Sequence, residues 1–391
     1  MRKFILIIIS FFIFMLKESK AQLVIDSVSF VVQSGAVVIV TGDISSAKGL
    51  PDMGKFLLQG PDSQSVNMNG KVIPNLEIDN ALGVWLKGGL KVSNTLNFLN
   101  GKFIADDYNF SLADLANVSG MGNGKFIETN KAGKVIKEIS SNLTSKEIPV
   151  GAGTLYRPVF ITTTGTNSGG NIGIKVRDSA SVNKPPSTTD FLKTNWTITK
   201  TGINGALTVD ARYVDPTDIS GNENNLKGYL FDGSDWTSSG TINTTTNLIS
   251  FPVNIASANI TAIDKFDLLK AKVFLQGAYV AGSSHPMSDN LRVAGVLPLT
   301  DPYRQSPYNT VFTQVNNTIT ETVAPSVLAD QPSQDNNIVD WVFLELRNTA
   351  AGNNILQTRS ALVQRDGDIV DVDGKSPVTF NNVDPGNYTI A

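Results

Sequence analysis

The residues of this sequence able to do chemistry are few, and most of them stand in turns. Asp366, Asp368, Asp371 and Asp373 lie beside Gly367 and Gly374. Hard cations such as Ca²⁺ take several oxygen ligands from neighbouring turns, so these four are the candidate metal ligands, for calcium. No Glu falls where an EF-hand closes its loop. On a strand, Asp371 and Asp373 would share one face and Asp368 the other, so a single cage requires a bend. The alternative is a solvated hairpin whose turn favours Asp. Asp106 and Asp107 are a carboxylate pair, and glycosidases work with two carboxylates about 5–10 Å apart. His285, the one histidine, would be the only possible base of a Ser–His–acid triad. No G-x-S-x-G elbow accompanies it, and it reads as a surface-loop residue. Gly120 to Lys125 has glycines like a phosphate loop, but Ser119 and Phe126 stand where that motif needs Gly and Ser or Thr. It reads as a turn between strands. Trp85, Trp236 and Tyr229 are candidates for stacking on sugars, whereas Trp196 and Trp341 lie in apolar strands and read as core. No catalytic residue and no cofactor is assigned.

Composition narrows the field further. The chain of 391 residues has no Cys, so disulfides, thiolate metal sites and thiol catalysis are excluded. Charged residues are 17%, below the ~25% of average soluble proteins. The 32 Lys and Arg against 35 Asp and Glu give a net charge of −3. Arg2 and Lys3 precede the apolar run Phe4 to Leu16, and Ser19-Lys20-Ala21 puts small residues at the −3 and −1 positions. Met1 to Ala21 therefore reads as a secretory signal peptide cleaved before Gln22, too short for a membrane span of about 20 apolar residues. Cleavage would remove four of the 32 cations and one of the 35 anions, leaving a net charge of −6. No basic stripe remains, so nucleic-acid binding is set aside. No later segment is long and apolar enough to span a membrane.

The elements that must position these residues are strands. Few stretches place apolar residues at i, i+3, i+4 and i+7; Ser111 to Asn117 comes closest and is short. What recurs is short alternating runs of Val, Ile, Thr and Phe cut by Gly, Asn, Asp and Ser. The expected fold is all-β: a strand-repeat, solenoid-like region followed by β-sandwich modules.

In residues 22–145, Leu76/Ile78, Val84/Leu86, Leu90/Val92, Leu96/Phe98 and Ile104 read as inward-facing, with six-residue steps from 84 to 90, 90 to 96 and 98 to 104. Gly83, Gly88, Gly89 and Gly101 would form corners. A strand–turn unit unable to bury its face alone stacks on its neighbours, which predicts a β-solenoid, with a hairpin sandwich as the alternative.

Residues 146–264 carry longer strands: Val159–Thr162, Ile172–Val176, Trp196–Ile198, Leu207–Val209, Tyr229–Phe231 and Leu248–Phe251. Their spacing predicts a sandwich. In residues 265–391, Lys272 to Tyr279 and Trp341 to Leu346 read as strands, with loop from Ser283 to Thr320 between them. Ala361–Gln364 and Ile369–Val372 form a hairpin around Asp366-Gly367. Val378–Phe380 pairs with Tyr388–Ile390. The chain stops at Ala391 inside that last strand, so this module reads as incomplete and the sequence as a fragment.

Three stretches resemble large secreted surface proteins of the Bacteroidetes: IPVGAGTLYRPV at Ile148 to Val159, KTNWTI at Lys193 to Ile198, and a long segment from Ala271 to Ala391. The last contains VFLQG (273–277), MSDNLR (287–292), LPLTDPY (297–303), IVDWV (338–342), ELR (345–347), RSALVQRDGD (359–368) and PGNY (385–388). The resemblance implies an adhesin- or haemagglutinin-like protein of the cell surface, exported by type IX secretion, whose carboxyl-terminal sorting domain would lie beyond Ala391. It transfers no catalytic site. The expected function is structural or adhesive, presenting β modules to cell-surface glycans or proteins without catalysis. The alternative is an extracellular carbohydrate-binding or carbohydrate-processing protein.

Overall fold

The computed structural model describes residues 22–26, 30–50, 54–165, 169–185, 188–349, 354–384 and 386–391. The expected signal peptide, Met1 to Ala21, lies outside the described residues. With 47% strand and 5% helix among the described residues, the protein is all-β. The chain forms two compact units. One holds the residues up to Lys184 together with Asp190–Ile263; the other holds Pro185–Thr189 and Asp264–Ala391.

The first unit begins as a β-solenoid. Strands alternate between two parallel sheets. One sheet stacks Gln22–Ile25, Asp43–Ser46, Gln64–Asn67, Val84–Leu86, Phe103–Ile104, Ile127–Glu128 and Val150–Ala152. The other stacks Val37–Val40, Lys55–Gln59, Lys71–Asp79 and Leu90–Asn100, then Phe110–Leu112 with Asn117–Ser119, then Val135–Ile139. The register measures the coil. Val38 faces Phe56, Val84 faces Phe103, Leu90 faces Phe110 and Phe110 faces Val135, so one coil takes 18 to 25 residues. The six-residue steps read from the sequence are thus the steps between successive apolar pairs around one coil, not the repeat itself. All the expected inward residues are buried, Leu76, Ile78, Val84, Leu86, Leu90, Val92, Leu96, Phe98 and Ile104 among them. Each such side chain removed from water stabilises the fold by about 1.5–3 kcal/mol. The segment Ser111 to Asn117 is no helix: Phe110–Leu112 and Asn117–Ser119 are strands on either side of a turn.

Corners are closed by buried amides and by glycine. Gln64 donates from Nε2 to the carbonyls of Val40 and Gly42, at 2.8 and 2.6 Å. Asn80 donates from Nδ2 to Asp62 O and Gln64 Oε1, at 2.8 and 2.9 Å. These amides satisfy backbone carbonyls that a coil corner takes out of the ladder. Gly101 has φ +80°, and a Cβ there would sit 1.7 Å from Asn80 O. Only glycine fits that approach.

The solenoid passes into a sandwich without a break in the core. Val135–Ile139, parallel to Phe110–Leu112, is antiparallel to Gly170–Arg177 on its other side. That sheet continues through Asn195–Thr201 and Ser257–Asp264. The sheet across the core contains Lys146–Ile148, Val159–Thr164, Ala206–Arg212 and Leu248–Pro252. Trp236–Asn243 pairs with Leu226–Phe231 and with Leu248–Pro252, joining the two sheets along one side. One hydrophobic cluster runs from Ile25 to Ala262. The expected boundary at 145/146 separates no compact units, whereas that at 264/265 falls next to the division between Ile263 and Asp264.

The IPVGAGTLYRPV stretch is the junction. Val150–Ala152 is the last parallel strand of the first sheet and folds back on Leu155–Tyr156. Gly153, at φ +60°, makes the turn. Val159 then opens a strand of the sandwich.

The second unit is built on the long hairpin Ile338–Asn348 with Ile355–Gln364, in which Trp341 faces Leu362. Ile369–Val370 and Tyr388–Ile390 extend that sheet at its two edges, and Phe266–Leu269 pairs with Val378–Asn381. Val378–Phe380 and Tyr388–Ile390 therefore do not pair with each other as expected. Their spacing suits a hairpin, but each finds a strand from elsewhere with a matching apolar face. Lys272 to Tyr279 is not a strand either. It makes only isolated bridges, Lys272 with Asp368 and Tyr279 with Met287. Its backbone follows the Asp366-Gly367 turn, with Val273 N bonding to Gly367 O. The loop from Ser283 to Thr320 contains single helical turns at Asn290–Val293, Pro302–Arg304 and Tyr308–Thr310. It is fastened to the hairpin through Trp341 Nε1 to Pro298 O at 3.0 Å and Tyr303 OH to Trp341 O at 2.9 Å.

Candidate functional site

The four candidate calcium ligands do not converge. Asp366 and Asp368 both bind the Lys272 ammonium, at 2.7 and 3.0 Å. Burial alone would raise the Asp366 carboxyl, but the bond from Lys272 holds it below the usual carboxylate range. Asp371 takes both of its oxygens to Arg359 Nη2, at 2.9 and 3.2 Å. Asp373 accepts from the backbone of Lys375 and Ser376 and from the Ser376 hydroxyl, closing a turn. Among the described residues no group of three or more Asp, Glu or His is arranged to hold a metal ion. The charge of three of the four is met instead by side-chain cations from elsewhere in the unit. The hairpin around Asp366-Gly367 is present, with Val363 facing Ile369 and Gly367 at φ +93°.

The other sequence candidates are likewise engaged. Asp106 binds Lys131 Nζ at 2.5 Å, and Asp107 Oδ1 accepts from Ala132 N, so the adjacent carboxylates face different donors. Gly122 and Lys125 exchange backbone hydrogen bonds, which makes the Gly120 to Lys125 run a tight turn. His285 Nδ1 lies 2.5 Å from Asp335 Oδ1, a pairing not legible in the sequence. Trp196 and Trp341 are core residues, as expected. Tyr229 is also buried, at 2% exposure, which removes it as a sugar platform. Trp236 lies between Tyr229 and Phe231, and its Nε1 donates to Asn183 O. Trp85 is half-buried with Lys87 Nζ 5.7 Å from its ring centroid.

Arg157 and Lys137 are buried charges that sequence reasoning missed. Arg157 is fully buried, bonded through Nε and Nη2 to Asp218, through Nη2 to Asp178 and through Nη1 to Ala152 O. Its only sequence signal is a lone cation between apolar neighbours in a β stretch. Lys137 is 1% exposed and donates to Ala113 O and Asp114 O, both at 2.6 Å. Burial pushes its ammonium down to about 8.

The second unit also holds a cleft of about 630 Å³ lined by Asn316, Thr318, Leu356, Gln357, Asn381, Asn382, Val383, Asp384 and Tyr388. Four of these are amides. Leu356 and Gln357 come from the start of Ile355–Gln364, Asn381 ends Val378–Asn381, and Tyr388 opens Tyr388–Ile390. Asn316 and Asn382 have left-handed backbones, φ +48° and +59°, a conformation Asn tolerates better than most residues. Asn316 Nδ2 donates to Leu356 O at 2.8 Å, and Gln357 Nε2 donates back to Asn316 O at 3.1 Å. Gln357 Oε1 is buried with no hydrogen-bond donor among the described residues. Asp384 is the single carboxylate, and Lys265 binds it at 2.8 Å. Burial, with Asp267 and Asp384 nearby, raises the Tyr388 phenol.

Comparison of the chain with protein-family models, curated proteins and solved structures finds no match.

Proposed function

We propose that this chain is a secreted or cell-surface structural protein with an adhesive role, presenting rigid β modules to a partner without catalysis. The observation that carries the reading is the fate of the reactive side chains. Asp106 is neutralised by Lys131, Asp366 and Asp368 by Lys272, and Asp371 by Arg359. Such groups hold loops in place. In the first unit a β-solenoid whose core runs on into a sandwich gives the Asp106 loop a stiff support, and in the second the acidic hairpin joins two strands of a four-stranded sheet. Export rests on the amino-terminal sequence, and the cell surface, the Bacteroidetes source and type IX export rest on the resemblance of three stretches.

Protease shaving of intact producing cells, with peptides mapped by mass spectrometry, tests the location. Peptides from residues 22–391 released at the surface would support it. Peptides found only in a periplasmic or cytoplasmic fraction would overturn it. Purified chain should then bind cells without turning over any glycan; release of reducing sugar would replace the adhesive reading with an enzymatic one.

A further inference from the structure

We propose that the cleft between Asn316 and Tyr388 in the second unit is a binding site for a neutral saccharide. The inference names a ligand class for the adhesive reading and rests on it.

The volume, about 630 Å³, lies within the roughly 300–1,000 Å³ of small-ligand sites. The lining then selects the chemistry. Asn316, Gln357, Asn381 and Asn382 each carry an amide carbonyl and an amide NH₂, and Thr318 a hydroxyl. A sugar hydroxyl both donates and accepts, so groups that do both are its natural counterparts. Tyr388, Leu356 and Val383 add apolar surface for the C–H face of a pyranose.

Charge excludes the competing classes. No Lys or Arg lines the cleft, so phosphate, sulfate and uronate groups have no counter-charge there. Its one carboxylate, Asp384, is held by Lys265, so a metal ion finds no set of hard anionic ligands. With one carboxylate, the lining also lacks the pair that glycoside hydrolysis uses. It is a wall for holding a sugar.

Gln357, only 8% exposed, shapes the wall of the cleft by donating from Nε2 to Asn316 O at 3.1 Å. Asn382 is exposed, and its left-handed backbone at φ +59° is one that Gly adopts without strain. The same holds at Asn316. Both amides can therefore be replaced by Gly without backbone strain, at Asn316 with loss of its bond to Leu356 O.

The test uses chain 22–391 on an immobilised panel of neutral mono- and oligosaccharides built from glucose, galactose, mannose and N-acetylglucosamine. Sialylated and sulfated counterparts and a neutral Ser/Asn-rich peptide complete the panel. Binding to one or more neutral sugars is expected. Asn382→Gly should weaken it about tenfold with unchanged melting, and Asn316→Gly with Asn382→Gly further, with slightly earlier melting because the bond from Asn316 Nδ2 to Leu356 O is lost. The inference is overturned if no neutral sugar binds, if only the anionic sugars or the peptide bind, or if both variants bind as the parent does. Cell binding by the same proteins separates the two readings. If the double variant still binds cells, the adhesive role stands without this cleft. If the parent binds sugar but not cells, the cleft stands and the adhesive role falls.

Discussion

Arg157 and Asp218 stand 61 residues apart and meet as a two-point ion pair, Nε to Oδ2 at 2.8 Å and Nη2 to Oδ1 at 2.5 Å, with both side chains 1% exposed. The pair ties the junction after the last solenoid strand to the far loops of the sandwich. Asp218 also accepts from Val214 N at 2.8 Å, so the carboxylate organises its own loop. Burial would lower the Arg157 guanidinium, but Asp218 and then Asp178 raise it, and it stays charged.

Breaking such a pair leaves a buried charge without its partner. Arg157→Met and Asp218→Asn should each lower the unfolding free energy of the first unit by about 3–5 kcal/mol. The double variant should lose less than the sum. Urea denaturation followed by tryptophan fluorescence measures this. A loss below about 1 kcal/mol for either single variant would place the pair in the class of surface ion pairs.

Leu96 and Phe98 are 0% and 1% exposed inside the coil. Leu96→Ala should cost about 2–5 kcal/mol, through lost burial and the cavity left behind. Gly101→Ala should cost more than about 1 kcal/mol, since its backbone is left-handed and its Cβ would meet Asn80 O. Gly277→Ala, where nothing lies within 4 Å, is the control. Equal melting for Gly101→Ala and Gly277→Ala would contradict the coil corner described above.

Lys137 predicts a pH dependence. Its folded-state value of about 8 lies below the ordinary 10.5. Between those two values the unfolded chain binds more protons than the folded one, so stability contributed at this site rises with pH across that window. Below about 8 both states are protonated and the contribution is flat. The difference in unfolding free energy between the parent and Lys137→Met should therefore shift in favour of the parent as pH rises from 8 to 10. A pH-independent difference would show that the ammonium is not desolvated.

The acidic hairpin predicts indifference to chelator. Lys272 and Arg359 already meet the charges of Asp366, Asp368 and Asp371. Melting of chain 22–391 should be the same in EDTA as in millimolar Ca²⁺, by differential scanning fluorimetry. Earlier melting in chelator by several degrees would reinstate a calcium site at these residues.

Much of the fold was legible because strand burial has a period of two. Val84, Leu86, Leu90, Val92, Leu96 and Phe98 declared the inner face of the coil by alternation alone, and the glycines marked corners. The sandwich strands from Val159 to Phe251 were legible for the same reason. The pairing of strands was not. Alternation says which side of a strand is buried but not which strand lies beside it, and so Val378–Phe380 reads as the partner of the nearest strand in sequence. Lys272 to Tyr279 has the apolar content of a strand, yet its backbone bonds follow a turn 94 residues on.

The candidate site was legible least of all. Asp366 to Asp373 advertised a metal because carboxylates crowd the sequence there; nothing local shows that Lys272 and Arg359 arrive to meet them. The cleft draws on three separate stretches, around Asn316, Leu356 and Asn381 to Tyr388, and PGNY in the last of them carries the resemblance but no binding signature.

By itself the sequence determined the all-β class, the inward faces of the coil and the residues that turn its corners. These follow from the chain's own alternation and from backbone angles only glycine or asparagine take readily. Tertiary structure alone decided which charges neutralise which, that Arg157 reaches Asp218, and that solenoid and sandwich share one core. Those depend on distances between residues far apart in the chain, set by the packing of the whole.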